Sequence, residues 1–168
     1  GEKKVLTVGA AYQYEAKVAC ADTASSTGSV DYTAYTVDAY LEYPIAGIGT
    51  FTASGAYVDY DLGQAYQGAA PDAGTVDQNG EKNGWYAKAG YMLPGFPLQL
   101  FGRAERWKFA ELDGVFDQQV EWYGGGLNYF VRGQDLKLTA EYSATTFDQP
   151  TATSQDLNTF IVQLQLIF

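Results

Sequence analysis

The chain has 168 residues, 15% of them aromatic, with 19 Gly, a single Met, a single Cys and no His, and it carries a formal charge of −10. That acidic balance excludes a nucleic-acid partner, which needs clustered Lys and Arg, and the lack of His removes the usual general base and the commonest metal ligand. No run approaches the ~18 consecutive apolar residues of a transmembrane helix, while Tyr, Thr, Val and Phe favour pleated strands.

Eight segments alternate with period 2, at 4–15, 31–43, 50–60, 84–93, 97–109, 120–131, 135–146 and 157–168. Each holds roughly the nine to eleven residues that a tilted strand needs to cross a bilayer. The first offers Leu6, Val8, Ala10, Tyr12 and Tyr14 to one side and Thr7, Gly9 and Gln13 to the other. The second sets Tyr35, Val37, Ala39, Leu41 and Tyr43 against Thr36, Asp38, Tyr40 and Glu42. The third opposes Phe51, Ala53, Gly55 and Tyr57 to Thr50, Thr52 and Ser54; the fourth opposes Trp85, Ala87, Ala89, Tyr91 and Leu93 to Tyr86 and Lys88. In the fifth, Leu98, Leu100, Gly102 and Ala104 face away from Gln99, Arg103 and Glu105. The sixth sets Tyr123, Leu127, Tyr129 and Val131 against Trp122 and Asn128. The seventh sets Leu136, Leu138, Ala140 and Tyr142 against Lys137, Thr139, Glu141 and Ser143. The last carries Phe160, Val162, Leu164, Leu166 and Phe168 on its greasy side.

The connections alternate in length. The gaps 16–30, 61–83, 110–119 and 147–156 are long and polar, whereas 44–49, 94–96 and 132–134 are short and hold Pro44, Gly47, Pro94, Gly95 and Gly133. Tight turns on one side and long loops on the other form the pattern of outer-membrane barrels, in which one strand face meets lipid and the other water. The expected fold is therefore all-β, an antiparallel up-and-down transmembrane β-barrel of eight strands in residues 1–168. It is either a closed small barrel or a segment of a larger one. Tyr and Trp at the ends of the apolar sets fit aromatic girdles at the headgroup level.

The reverse faces supply the candidate site. Asp38, Glu42, Lys88, Arg103, Glu105, Lys137 and Glu141 are expected on the inner wall, lining a pore or forming a salt-bridged network that fills a narrow lumen. The loop acids Asp61, Asp72, Asp77, Glu81, Glu111, Asp113 and Asp117 match no calcium-loop spacing and read as solvated surface. Gly124-Gly125-Gly126 is no phosphate cradle, because no helix follows it; small residues there relieve crowding beside Trp122 or bend the strand. Cys20 falls in a predicted loop without a partner Cys, and Gly1-Glu2-Lys3-Lys4 leads straight into a strand, as in a mature chain or a piece of a longer one. No catalytic residue, metal site or cofactor is expected.

The block Trp122 to Phe130, the following Leu136 to Tyr142 and the terminal Phe160 to Phe168 resemble the C-terminal strands of Gram-negative phosphate-selective porins of the O and P type. Val37 to Pro44 and Phe101 to Trp107 are similar to that family's later strands, so the resemblance spans this chain and the back half of a sixteen-stranded member. It implies a passive outer-membrane channel for small polar or ionic solutes. The implied partners are outer-membrane lipid and lipopolysaccharide, the barrel assembly machinery engaging the last strand through Phe168, and either a homo-oligomer such as a trimer or an N-terminal half. Two other readings stand beside it: a small plugged eight-stranded barrel acting as an anchor, and a soluble ligand-binding β-barrel.

Overall fold

The computed structural model describes residues 4–22, 27–61, 81–109, 111–112, 114–133 and 135–167. Among them are ten strands and no helix: β1 (Val5–Asp22), β2 (Thr27–Ile45), β3 (Gly49–Asp61), β4 (Glu81–Met92), β5 (Leu98–Lys108), β6 (Glu111–Leu112), β7 (Val115–Phe116), β8 (Gln119–Arg132), β9 (Leu136–Phe147) and β10 (Leu157–Leu166). Eight of them form one antiparallel up-and-down sheet in the order β1-β2-β3-β4-β5-β8-β9-β10, and β6 with β7 forms a separate small ribbon.

Three short turns join the strands at one end. In the first, Ile48 N–H donates to Ile45 O at 3.0 Å around Gly47, whose φ of 74° suits a residue without a Cβ. In the third, Asp135 N–H closes on Arg132 O at 3.0 Å around Gly133. Between them, Leu93 N–H closes on Leu98 O at 2.9 Å across Pro94 and Gly95.

Two expectations about loops are corrected. Segment 16–30 is not a long loop: β1 and β2 run on as a paired ribbon, with Cys20 opposite Ser29 in the ladder. A bulge between Glu15 and Ala19 interrupts that ribbon, and there Lys17 takes a φ of 59°. Its freed N–H donates to the Asp31 carboxylate at 2.9 Å, so the bulge leaves no orphan donor. Segment 110–119 carries the β6–β7 ribbon rather than being wholly irregular. The predicted loop residues 62–80 and the terminal Phe168 lie outside the described residues.

Register decides which side chains share a face, because residues directly opposite each other in a ladder project to the same side. One continuous row reads Leu6, Leu41, Ala53, Ala89, Gly102, Gly125, Tyr142 and Phe160. The next reads Thr7, Tyr40, Ser54, Lys88, Arg103, Gly124, Ser143 and Thr159. The apolar sets of the eight strands therefore fall on one face, and the polar sets on the other.

The two faces are packed differently. Large side chains on the apolar face stand free, with Leu6 72%, Val8 73% and Phe160 69% exposed. The buried residues of the sheet, Ala34, Gly84, Gly90, Phe101, Asn128 and Ser143, all belong to the polar face. Polar side chains also reach past their immediate neighbours: Gln99 on β5 bonds Thr52 on β3 over Gly90, and Arg103 on β5 approaches Glu141 on β9. The sheet thus curves with its polar face inward. Among the described residues no ladder joins β1 to β10, and these two strands form the edges.

Candidate functional site

All seven sequence-predicted wall charges project from the inward, polar face. The structure sorts them into two groups and one outlier. Arg103 holds the first group: its Nε lies 3.5 Å from Glu105 and 3.8 Å from Glu141, and its guanidinium carbon sits 3.6 Å from the centroid of the Trp122 ring. Nε itself makes no hydrogen bond, so this contact is ionic and cation–π in character. Trp107 Nε1–H donates to the second oxygen of Glu105 at 3.3 Å.

Lys88 is directly opposite Arg103 in the ladder, a placement that destabilises like charges. The two part by leaning in different directions, Arg103 onto Trp122 and Lys88 over the Phe101 ring at 4.9 Å. Lys88, Glu42 and Lys137 line a recess of about 240 Å³ that spans the inward face from β2 to β9. Tyr40 O–H donates to Glu42 at 3.0 Å. Asp38 stands apart with its carboxylate over Gly9, and among the described residues it enters no ion pair.

Uncharged groups connect the two sides of the recess. Thr139 O–H donates to Asn128 Oδ1 at 2.7 Å, Asn128 Nδ2–H to Gln99 Oε1 at 2.9 Å, and Gln99 Nε2–H to Thr52 Oγ1 at 3.4 Å. Asn128 is 7% exposed, and it stays satisfied because both ends of its amide are used. Period-2 reading places each of these residues on the polar face, but only the lateral register reveals that they form a chain. Aromatic residues on this face are the other feature that hydropathy alone does not flag. Trp122 lies over Gly124 and Trp107 over Gly84, while Phe101 approaches Gly126. Crowding accounts for Gly124 and Gly126 of the triple glycine; Gly125 faces outward, where nothing crowds it.

The outward face has its own order. Tyr12, Tyr35, Tyr57, Trp85 and Tyr123 form a row toward the long connections, and Tyr43, Phe51, Tyr91 and Tyr129 form a second toward the short turns. On β2, β3, β4 and β8, which carry both rows, six to eight residues separate them, about 20–26 Å along the chain at ~3.3 Å per residue. Alanine, glycine, valine and leucine fill the space between. At the first row the phenols bond acids just beyond it, Tyr57 to Asp59 at 3.1 Å and Tyr123 to Glu121 at 3.0 Å. At the second, Lys4 Nζ donates to the Tyr43 hydroxyl at 2.9 Å and Tyr91 to Ile48 O at 2.5 Å.

Of the predicted loop acids, Asp117 pairs with Lys108 at 3.1 Å and Asp61 ends β3. Asp72, Asp77 and Asp113 lie outside the described residues, as do the side chains of Glu81 and Glu111. Among the described residues no group of three or more His, Cys, Asp or Glu could hold a metal ion.

No family model, curated protein or solved structure matches the chain.

Proposed function

We propose that the eight-stranded sheet is the wall of a transmembrane β-barrel in a bacterial outer membrane, and that the barrel is a porin-type channel for passive diffusion of small polar or ionic solutes. The observation that carries this reading is the two-row aromatic pattern on a freely exposed apolar face, backed by a charged inward face. Measured along the strands the rows stand about 20–26 Å apart, which the strand tilt brings to roughly 17–23 Å in height, near the ~25 Å of a lipid-facing band between girdles.

The slant of the rows supports it further. Relative to the ladder row through Leu6, the upper aromatics stand six residues away at Tyr12 and Tyr35, four at Tyr57 and Trp85, two at Tyr123 and none at Phe160. That drift is a little under one residue per strand, or about 3 Å along for each ~4.8 Å across, a tilt of roughly 30°. Barrel strands tilt by ~35–45°. If the aromatic rows lie level with the two membrane surfaces, the strands cross obliquely, as barrel closure requires.

The resemblance to phosphate-selective porins fits this architecture, and a barrel wider than eight strands fits the edges. Both faces of β1 and most of β10 are exposed, and unpaired backbone edges are not tolerated in hydrocarbon. Further strands, from a longer chain or a partner chain, would pair them and leave a water-filled interior, whereas eight strands closed on themselves would be filled by their own side chains. A soluble ligand-binding barrel is disfavoured, because its greasy face would be the packed one. Planar-bilayer recording of the purified full chain tests the proposal: discrete conductance steps are expected, and a bilayer that stays silent would argue against a channel.

A further inference from the structure

We propose, building on the channel reading, that the recess on the inward face is a selective subsite for small hydroxylated carboxylates such as sugar acids. Its volume of about 240 Å³ would hold about eight waters at ~30 Å³ each, the bulk of a sugar-sized solute.

Three kinds of lining group converge there. Lys88 and Lys137 bring two ammonium groups, and among the described residues neither belongs to an ion pair. Glu42, the carboxylate of the same recess, accepts the Tyr40 hydroxyl. Glu42 keeps its charge, so the recess holds two ammoniums against one carboxylate, and this net positive charge favours an anion. The second kind is the amide–hydroxyl chain. Gln99 and Asn128 each spend one amide hydrogen within it, and Thr52 uses its oxygen as an acceptor. A second amide hydrogen on each of Gln99 and Asn128, with the Thr52 hydroxyl hydrogen, remains to serve solute oxygens. The third kind is apolar: Met92 and Phe130 complete the wall and accept the C–H side of a carbon skeleton. A bare inorganic anion uses only the first kind and a neutral sugar only the last two, whereas a hydroxylated carboxylate engages all three.

The test is swelling of phosphatidylcholine vesicles carrying the full chain, in isotonic gluconate, glucose or inorganic phosphate. Gluconate is expected to enter several-fold faster than either, and the gluconate-to-glucose ratio is expected to fall about tenfold in Lys88→Gln/Lys137→Gln, the loss expected for a charge-assisted hydrogen bond. The Lys88→Arg/Lys137→Arg variant, which keeps both charges, should retain most of the preference and shows that the wall tolerates substitution. Equal rates for gluconate and glucose, or phosphate entering as fast as gluconate, would overturn the subsite while leaving the channel in place. If no solute enters, the channel reading fails, and calorimetric titration of the detergent-solubilised chain decides the recess. There, gluconate binding that is lost in the double Gln variant supports the subsite, and no heat of binding overturns it.

Discussion

The Trp122 ring has the Arg103 guanidinium carbon 3.6 Å from its centroid, and the edge of its six-membered ring lies over the bare backbone of Gly124. A methyl group at 124 would run into the indole, so Gly124→Ala should destabilise the sheet by about 1–3 kcal/mol, the usual cost of overpacking. Urea titration in detergent should show most of that cost vanish in a Trp122→Leu background, because the two changes share one contact. A cost that persists without the indole would place the strain elsewhere. Asp31 makes a second residue-scale case. It accepts Lys17 N–H and the Tyr14 hydroxyl at 2.9 and 2.7 Å, and these bonds, the backbone one foremost, hold its carboxyl below the usual range. A depressed folded-state pKa contributes stability above the unfolded pKa, and that contribution disappears as pH falls through the folded value. The stability difference between the native chain and Asp31→Asn is thus expected at neutral pH and should close on acidification. A difference that is constant with pH would remove the carboxylate from the bulge.

Strands are legible in this sequence only where their two faces meet different surroundings. Between the aromatic rows apolar and polar side chains largely alternate, so the strand positions and the shared face of all seven wall charges follow from period 2, while the inward sense of that face rests on the loop pattern, the aromatic ends and the bare apolar sets. Beyond the upper row both faces are polar. Residues 16–30 are consequently rich in Ala, Ser and Thr and carry no alternation, although β1 and β2 continue through most of them. What pairs across strands is also hidden, since the Thr139–Asn128–Gln99–Thr52 chain and the Arg103 group depend on lateral register. The same logic gives an element-scale prediction on β3. Ala53→Arg puts a cation in the middle of the apolar band and should cost about 2–4 kcal/mol in a bilayer. Ser54→Arg, one residue on but facing inward, should cost far less, and guanidinium titration in lipid vesicles compares the two. Equal costs would mean that the faces of β3 are not in different media.

At the scale of the whole molecule, curvature turns two chemically opposite faces into an outside and an inside. The charges that remain on the outside lie beyond the aromatic rows, as with Asp31, Asp59, Glu121 and Lys4. Inside, opposite charges are interspersed across the wall, a composition that suits water and ions better than a dry core. The three tryptophans report on this division without added labels: Trp85 sits on the outward face, Trp107 and Trp122 on the inward one. The most direct measurement is fluorescence quenching by brominated phosphatidylcholine of reconstituted chains that keep one tryptophan each. Strong quenching of Trp85 and little of Trp122 is the expected result. Strong quenching of Trp122 with Trp85 unaffected would turn the sheet inside out and contradict the account.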